Sequence, residues 1–255
     1  MERIEIMNSR KKRLVANLYS SSINSIIIMA HGFTSDKSSS GRFEHLAEAF
    51  VRSGYHVLTF DFSGCGESDD ERISVEREVN DLQAVIDFAK ARGYRKIALY
   101  GHSLGSLICL KCYRPDIVTM VLSGALTDAM YYDWKDYFRP EQLQQLQEHG
   151  YMTVEKEAGP RKEIQIDQQM LLDFELIDQQ ELLKPVQCPV LIIHGNHHED
   201  EEELQLLERS QRAMALLSPD SKLEVIEGAT HRFHEHMDEL TRLANDWFLR
   251  YLKDQ

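Results

Sequence analysis

Short apolar runs alternate along this chain with stretches of helical period, and that rhythm restricts the folds open to it more than any other feature. The run Ser25-Ile-Ile-Ile-Met-Ala30 is apolar on both faces, as a strand must be when both sides of a sheet are covered. Similar runs fall at 55–61, 95–100, 117–123, 189–194 and 222–227. Between them, 43–53 sets Phe43, Leu46, Ala47, Phe50 and Val51 at helical spacing before the stop at Gly54. Residues 74–91 repeat the pattern with Val75, Val79, Leu82, Val85, Ile86 and Ala89. Stretches 104–113, 202–217 and 236–252 continue it. Strands alternating with helices in this way form parallel βαβ units. The expectation is an α/β fold: a mostly parallel central sheet with helices on both faces, in a single domain over 1–255. Residues 2–8 and 13–19, of mixed polarity, read as an edge hairpin. Ligands of such sheets gather at the carboxyl ends of the strands.

One stretch breaks the rhythm. About 60 residues separate the strand ending at Ser123 from the one starting near Pro189, where ordinary connections run to about 2–6. A helix is expected at 140–148, after Pro140, and a β-hairpin across 150–167 around Gly159-Pro160. The stretch reads as a cap inserted at about 128–185. It is rich in aromatic residues: Tyr131, Tyr132, Trp134, Tyr137, Phe138 and Tyr151. They can serve as a lid packed on the body or as the lining of an acyl or aromatic pocket, and both readings stand.

The chemical signals sit where strands end. Gly101-His102-Ser103-Leu104-Gly105 follows one strand directly and opens an apolar helix. A Gly-x-Ser-x-Gly pattern alone arises by chance in roughly one chain of this size in ten. The strand–turn–helix setting is what makes it informative, because it projects the serine hydroxyl from a strained turn. A hydroxyl needs a base to become a nucleophile. Of 11 histidines, His231 in Gly228-Ala-Thr-His231 follows the last strand and can reach the same end of the sheet. Backbone N–H groups of Leu104, at a helix start, and Phe33, in the loop after Ala30, are the candidate donors to a developing oxyanion. His31, His102 and His194 are read as supporting loops or lining the cleft. The acid that should orient the base is chosen from Asn196-His-His-Glu199-Asp200-Glu201-Glu202-Glu203. Asp200 is the choice, then Glu201, with Asp128 as an outsider. The competing reading is that these carboxylates only favour the start of a helix through its dipole.

Several other chemistries fit poorly. A formal net charge of −13 disfavours nucleic acid and anionic membrane as partners. No apolar run approaches the roughly 20 residues that cross a bilayer, and the first residues, MERIEIMNSRKKRLV, lack a signal-peptide block. With only four cysteines, the reading is a cytoplasmic protein. Gly64-Cys65-Gly66 lacks the third glycine of a dinucleotide loop, because Asp69 stands there. Cys109-x-x-Cys112 lies within a helix rather than at a redox turn. His197, His198, His231, His234 and His236 lack zinc-site spacing. No cofactor and no metal are expected. A homodimer is compatible with the sequence.

Taken in order, His31-Gly32-Phe33, Gly101-His-Ser-Leu-Gly105 and Gly228-Ala-Thr-His231 resemble the α/β-hydrolase superfamily, as does the loop Asp61-Phe-Ser-Gly-Cys-Gly-Glu-Ser68. Within it the chain is most similar to bacterial cinnamoyl/feruloyl-type carboxylesterases and their serine-peptidase-like relatives. It departs at the acid: where the family usually has His-Gly-x-x-Asp, His198 occupies the aspartate position, and one or two extra residues would restore Asp200 or Glu201. The resemblance implies a serine carboxylesterase acting on a small-molecule ester. Short or medium acyl or hydroxycinnamoyl substrates would pass through an acyl-enzyme formed by Ser103, His231 and Asp200. One alternative is the same residues serving amide or peptide hydrolysis, acyl transfer or C–C bond hydrolysis. Another is a non-catalytic binding protein on the same fold.

Overall fold

The computed structural model describes residues 1–252. In chain order its strands are β1 (Glu2–Met7), β2 (Arg13–Tyr19), β3 (Ser25–Ala30), β4 (His56–Phe60), β5 (Lys96–His102), β6 (Ile117–Ser123), β7 (Tyr151–Glu155), β8 (Glu163–Asp167), β9 (Val190–Gly195) and β10 (Lys222–Ile226). The helices are α1 (Arg42–Arg52), α2 (Val75–Ala91), α3 (Leu104–Lys111), α4 (Pro140–His149), α5 (Gln168–Glu175), α6 (Gln179–Leu183), α7 (Glu201–Ala213) and α8 (Met237–Tyr251).

Eight strands make one sheet in the order β1-β2-β4-β3-β5-β6-β9-β10. The first two pairings, β1 with β2 and β2 with β4, are antiparallel, and the rest are parallel. The mostly parallel sheet and the edge hairpin are those expected. The chain leaves β3 towards β4 on one side, then returns to lay β5 on the other. This reversal opens a crevice beyond the carboxyl ends of β3 and β5, where such sheets bind ligands.

Each face of the sheet carries its own apolar core. On one side Ile27, Met29, Val57 and Tyr100 pack with Phe43 and Phe50 of α1 and Trp247 and Phe248 of α8. On the other, Ile26, Ile28 and Leu99 meet Leu82 and Val85 of α2, Leu107 of α3 and Leu206 of α7. All six residues of β3 are buried, which is why that run lacks a polar face. Burying one side chain such as Phe50 contributes about 1.5–3 kcal/mol relative to exposure. The Trp247 indole N–H is satisfied by Thr119 Oγ1 at 2.8 Å. Helix α1 ends at Gly54, whose φ of +100° favours glycine.

The excursion between β6 and β9 carries the expected helix α4 and hairpin, β7 pairing antiparallel with β8 from Tyr151↔Asp167 to Glu155↔Glu163. It also carries α5 and α6, which are too short for their periodicity to stand out in the sequence. The hairpin is fastened to the body: Ile73 bridges Ile166, its N–H donating to Gln165 O at 2.8 Å and its carbonyl accepting from Asp167 N at 3.1 Å. Arg161 adds hydrogen bonds to Gly66 O, Ser68 O and Asp70. Helix α7 stops four residues short of the expected 217, tightening into a 3-10 turn over Met214–Leu216.

One core position runs against the hydrophobic pattern. Glu78, on the buried side of α2, has no hydrogen-bond partner for either carboxyl oxygen among the described residues. Burial, and then the nearby charge of Asp81, push its carboxyl well above the usual range. The folded state therefore retains a proton that the unfolded chain releases, so stability falls as pH rises above the unfolded value of roughly 4.3. Glu78→Gln removes this slope. In urea titrations the variant should gain on the parent between pH 5 and pH 8, and a constant difference would contradict the assignment.

Candidate active site

Ser103 stands between β5 and α3 with φ 54° and ψ −126°, a left-handed conformation that a non-glycine residue adopts only when its surroundings enforce it. The flanking glycines are there for space. A Cβ on Gly105 would lie 2.1 Å from Ala30 O, and one on Gly101 would lie 2.6 Å from Gly105 O. The turn is pinned by Ser103 N donating to Ser123 O at 2.9 Å and by Ser106 Oγ donating to Ser103 O at 2.6 Å.

His231 comes from the loop after β10. Its Nε2 lies 2.9 Å from Ser103 Oγ and its Nδ1 2.6 Å from Glu203 Oε2. A carboxylate only accepts, so Nδ1 carries the hydrogen and Nε2 faces the serine hydroxyl with its lone pair. The imidazole lies against Gly124, φ +54°, where an added Cβ would come within 2.6 Å of Cε1. Only a residue without a side chain leaves room for the ring.

The expected acid is corrected. Asp200 does not meet the imidazole: its Oδ1 caps α7 by accepting from Glu203 N at 3.1 Å, and its Oδ2 accepts from the backbone N–H of His231 at 2.8 Å. Asp200 thus aligns the histidine's backbone while Glu203 meets its ring. Of the other candidates, Glu201 is exposed at the first position of α7, and Asp128 pairs with Arg212 at 3.6 Å. A signal for Glu203 was present. Glu203, Leu206, Leu207, Ser210 and Ala213 are the buried residues of α7, at helical spacing. Glu203 is therefore the one carboxylate of the acidic run on the helix's inward stripe, and Asp200-x-x-Glu203 has the spacing of a capping box.

The Glu203 side chain is fully buried, and that of His231 is 18% exposed. Burial opposes ionisation of Glu203. Hydrogen bonds from His194 and His231 outweigh it and hold the carboxyl at about 2. Burial likewise opposes a charged His231, but the hydrogen bond and charge of Glu203, followed by the charges of Glu202 and Asp200, raise it above the ordinary histidine value.

The remaining histidines at strand ends support the loops. His31 Nδ1 donates to Gly32 O at 2.9 Å, and its Nε2 accepts from Phe62 N at 3.3 Å. His102 lies 5.1 Å from His231 between ring centroids. Its Nε2 accepts from Arg42 at 3.0 Å, so its Nδ1 donates to Ser123 Oγ at 3.0 Å. Burial, then the charge of Arg42, hold His102 well below the usual range and thus neutral.

The loop after β3 passes beside the serine: a Cβ on Gly32 would lie 3.2 Å from Ser103 Cβ. The loop is tied down by Asp61, whose carboxylate accepts from Lys37 N at 2.6 Å, Lys37 Nζ at 2.7 Å and Glu67 N at 2.9 Å. The backbone N–H groups of Phe33 and Leu104 have no acceptor among the described residues. In front lies a cleft of about 590 Å³ with Ser103 and His231 in its lining. Phe33, Tyr132, Trp134, Tyr137, Phe138 and Phe174 line it as well. Tyr132, Trp134, Tyr137 and Phe138 therefore pack on one another and also face the cleft, whereas Tyr131 is exposed and Tyr151 lies under Arg72, and Tyr132 donates to Glu202 Oε1 at 2.8 Å. No group of three or more His, Cys, Asp or Glu side chains able to hold a metal occurs among the described residues. Cys109 and Cys112 are buried thiols. No described helix is long and apolar enough to cross a membrane.

Known proteins share this architecture. The chain superposes on Est1E from Butyrivibrio proteoclasticus, a structure described with ferulic acid bound, with a TM-score of 0.74 and 20% identity, covering 98% of this chain and 99% of that one. The Pyrococcus furiosus esterase Pf2001 gives 0.74 and 20%, over 99% and 91%. At these identities the likeness is one of fold. Among curated proteins, ABHD12B of Homo sapiens is 34% identical over 84 residues, 32% of this chain and 23% of that protein. The chain thus matches about a quarter of that relative's length. Residues 21–171 match the family described as Serine aminopeptidase, S33 (Hydrolase_4). With more than half of its length matched and the sheet, crossovers and strand-end loops of an α/β hydrolase, the chain belongs to that hydrolase family.

Proposed function

We propose that the protein is a serine carboxylesterase that acts on small-molecule esters through an acyl-enzyme. The observation that carries this reading is the unbroken series Ser103 Oγ, His231 Nε2, His231 Nδ1, Glu203 Oε2, with spacings of 2.9 and 2.6 Å at its two hydrogen bonds. His231 Nε2 takes the hydroxyl proton as Ser103 Oγ attacks the carbonyl carbon. The Phe33 and Leu104 amides, which have no acceptor among the described residues, receive the charge that develops on the carbonyl oxygen. The imidazolium, stabilised by Glu203, passes its proton to the departing alkoxide. A water molecule deprotonated by His231 then releases the acid and restores the serine.

The aromatic lining of the cleft favours an acyl group with an apolar or aromatic body, hydroxycinnamoyl esters among them, and the fold neighbour described with ferulic acid is in keeping with this. The same series of residues also serves amide hydrolysis, the reaction implied by the family's description, as well as acyl transfer and C–C bond hydrolysis. A binding protein without turnover would have no use for a strained serine aligned with a base. Buried free thiols fit a reducing compartment such as the cytoplasm.

A fluorophosphonate probe should label the parent protein and not Ser103→Ala. Glu203→Gln should lower kcat on aryl esters by roughly 10³–10⁴-fold, and Asp200→Asn, which keeps an N-cap acceptor, by less than about 10-fold. Equal losses in the two variants, or a larger one in Asp200→Asn, would return the acid's role to Asp200.

The pH profile follows from His231. Only its neutral form accepts the serine proton, and its value is raised, so kcat/KM should fall on the acid side with a midpoint above roughly 6.5. In Glu203→Gln the largest raising influence is gone and the midpoint should move down. A profile unmoved by that substitution would separate the two groups.

A panel of acetate, butyrate and ferulate esters, with an anilide and a β-diketone, decides the reaction class. Trp134→Ala should raise KM for the ferulate ester several-fold more than for the acetate. Equal changes would make the aromatic residues packing alone.

A further inference from the structure

Behind Glu203, on the side away from the serine, lies a second histidine that the proposed reaction does not use. His194, near the end of β9, is fully buried, and each of its ring nitrogens has one partner. Nδ1 lies 2.8 Å from Glu203 Oε1, and Nε2 lies 2.8 Å from Ser210 Oγ, which is 3.3 Å from Thr127 Oγ1. Glu203 Oε1 also accepts from Gly195 N at 2.8 Å. One carboxylate is therefore shared between two imidazoles, with Oε1 held by His194 and Gly195 and Oε2 presented to His231.

We infer that His194 is a positioning residue for hydrolysis: it fixes the rotamer of Glu203 and draws off part of its charge, setting how strongly the carboxylate binds the proton of His231. This rests on the reading of Ser103, His231 and Glu203 given above. A carboxylate with no donor on its rear oxygen would be free to rotate in the buried space. It would also place its whole charge on the remaining donor. Ser210 fixes the direction of the arrangement. Its hydroxyl donates to Nε2, which leaves the ring hydrogen on Nδ1, facing the carboxylate. Both Ser210 and Glu203 come from α7, seven residues apart on its buried stripe. The helix thus grips the ring of His194 from both sides.

The charged and titratable groups around the pair are few. Asp200, Glu202 and Glu203, at the start of α7, face His231, and neutral His102 of β5 lies on its other side. The groups behind His194, Ser210 and Thr127, do not titrate. Burial works against ionised Glu203, and the hydrogen bond from His194 is the foremost influence opposing it. Loss of that bond should leave the carboxylate a stronger acceptor for His231 alone, so the titration of His231 should move up. This is opposite to the effect of losing the carboxylate.

The test compares His194→Phe, which keeps the ring shape without donors, with His194→Asn, whose amide N–H reaches the place of Nδ1–H, and with Ser210→Ala. Two quantities are read: the titration midpoint of His231 by NMR, which needs no turnover, and kcat/KM against pH per fluorophosphonate-titrated site. In His194→Phe the midpoint should rise and kcat fall by roughly 10–100-fold, as when an outer hydrogen-bond partner of a reacting group is lost, with KM changing less than about twofold. His194→Asn should restore most of the rate. Ser210→Ala should shift the midpoint the same way by a smaller amount. Should His194→Phe fail to fold, Ser210→Ala decides, with His194→Asn as the variant that keeps the donor. An unmoved His231 midpoint with an unchanged per-site rate in His194→Phe, or in Ser210→Ala should the phenylalanine variant not fold, overturns the inference. A parent protein that neither labels nor hydrolyses esters would count against the proposed reaction, while the NMR titration would still judge the coupling of the two histidines.

Discussion

A carboxylate buried without charge compensation costs several kcal/mol, and in this protein the Glu203 side chain is completely excluded from solvent. What makes that tolerable is the set of donors converging on it: two imidazole N–H groups and the amide of Gly195. These donors come from the end of β9 and from the loop after β10, and the acceptor comes from α7. The three segments are thus locked together at the rim of the sheet, and the lock aims His231 at Ser103. Gly124 adds a steric condition, because the ring occupies the volume that any side chain there would need. The arrangement is cooperative in the strict sense. Removing one partner leaves a buried charge or a buried polar nitrogen unsatisfied.

The acidic run at 199–203 shows how neighbouring carboxylates acquire different tasks from helix geometry alone. Asp200, at the cap, accepts one helical N–H and one from the backbone of His231. Glu202, one residue round the helix from Glu203, accepts the Tyr132 hydroxyl and so ties the aromatic segment of the insertion to the same turn. Glu203 points inward to the histidines. The first turn of α7 therefore couples the lining of the cleft to the alignment of His231. Position on the helix explains all three, and the favourable field of a helix N-terminus is common to them.

The strand positions, the turn at Ser103 and the loop carrying His231 were legible in the sequence because each has a local physical signature. Continuous apolar runs announce covered strands, and Gly101 and Gly105 announce the close passage against Ala30 that the structure contains. Glu203 escaped because a motif counted along the chain measures distance from the strand end, while the imidazole responds to distance in space. His198, at the place where a strand-end aspartate would stand, is 84% exposed and lies beside Glu199. The buried stripe of α7 held the information, in the phase of Glu203 relative to Leu206, Leu207 and Ser210. The grip of the hairpin on Ile73 had no such signature, since it is made by backbone groups of residues about 90 positions apart.

The carboxylate that meets His231 stands on a helix, and not in the strand-end loop where it was expected, and on the proposed reading this has a physical rationale. A loop aspartate is short and depends on the loop for its direction. A helical glutamate is one methylene longer and gives up more rotamer freedom to reach a defined place. Here the loss is offset by the rear donors, which leave one orientation of the carboxylate satisfied. The helix also contributes Ser210 from two turns further on, so the acid and the group that orients His194 share one rigid element. A loop-borne acid would have needed a second segment to supply that hydroxyl. The histidine at 194 and the glutamate at 203 are, on this argument, a single device: each is costly to bury alone, and each supplies what the other lacks.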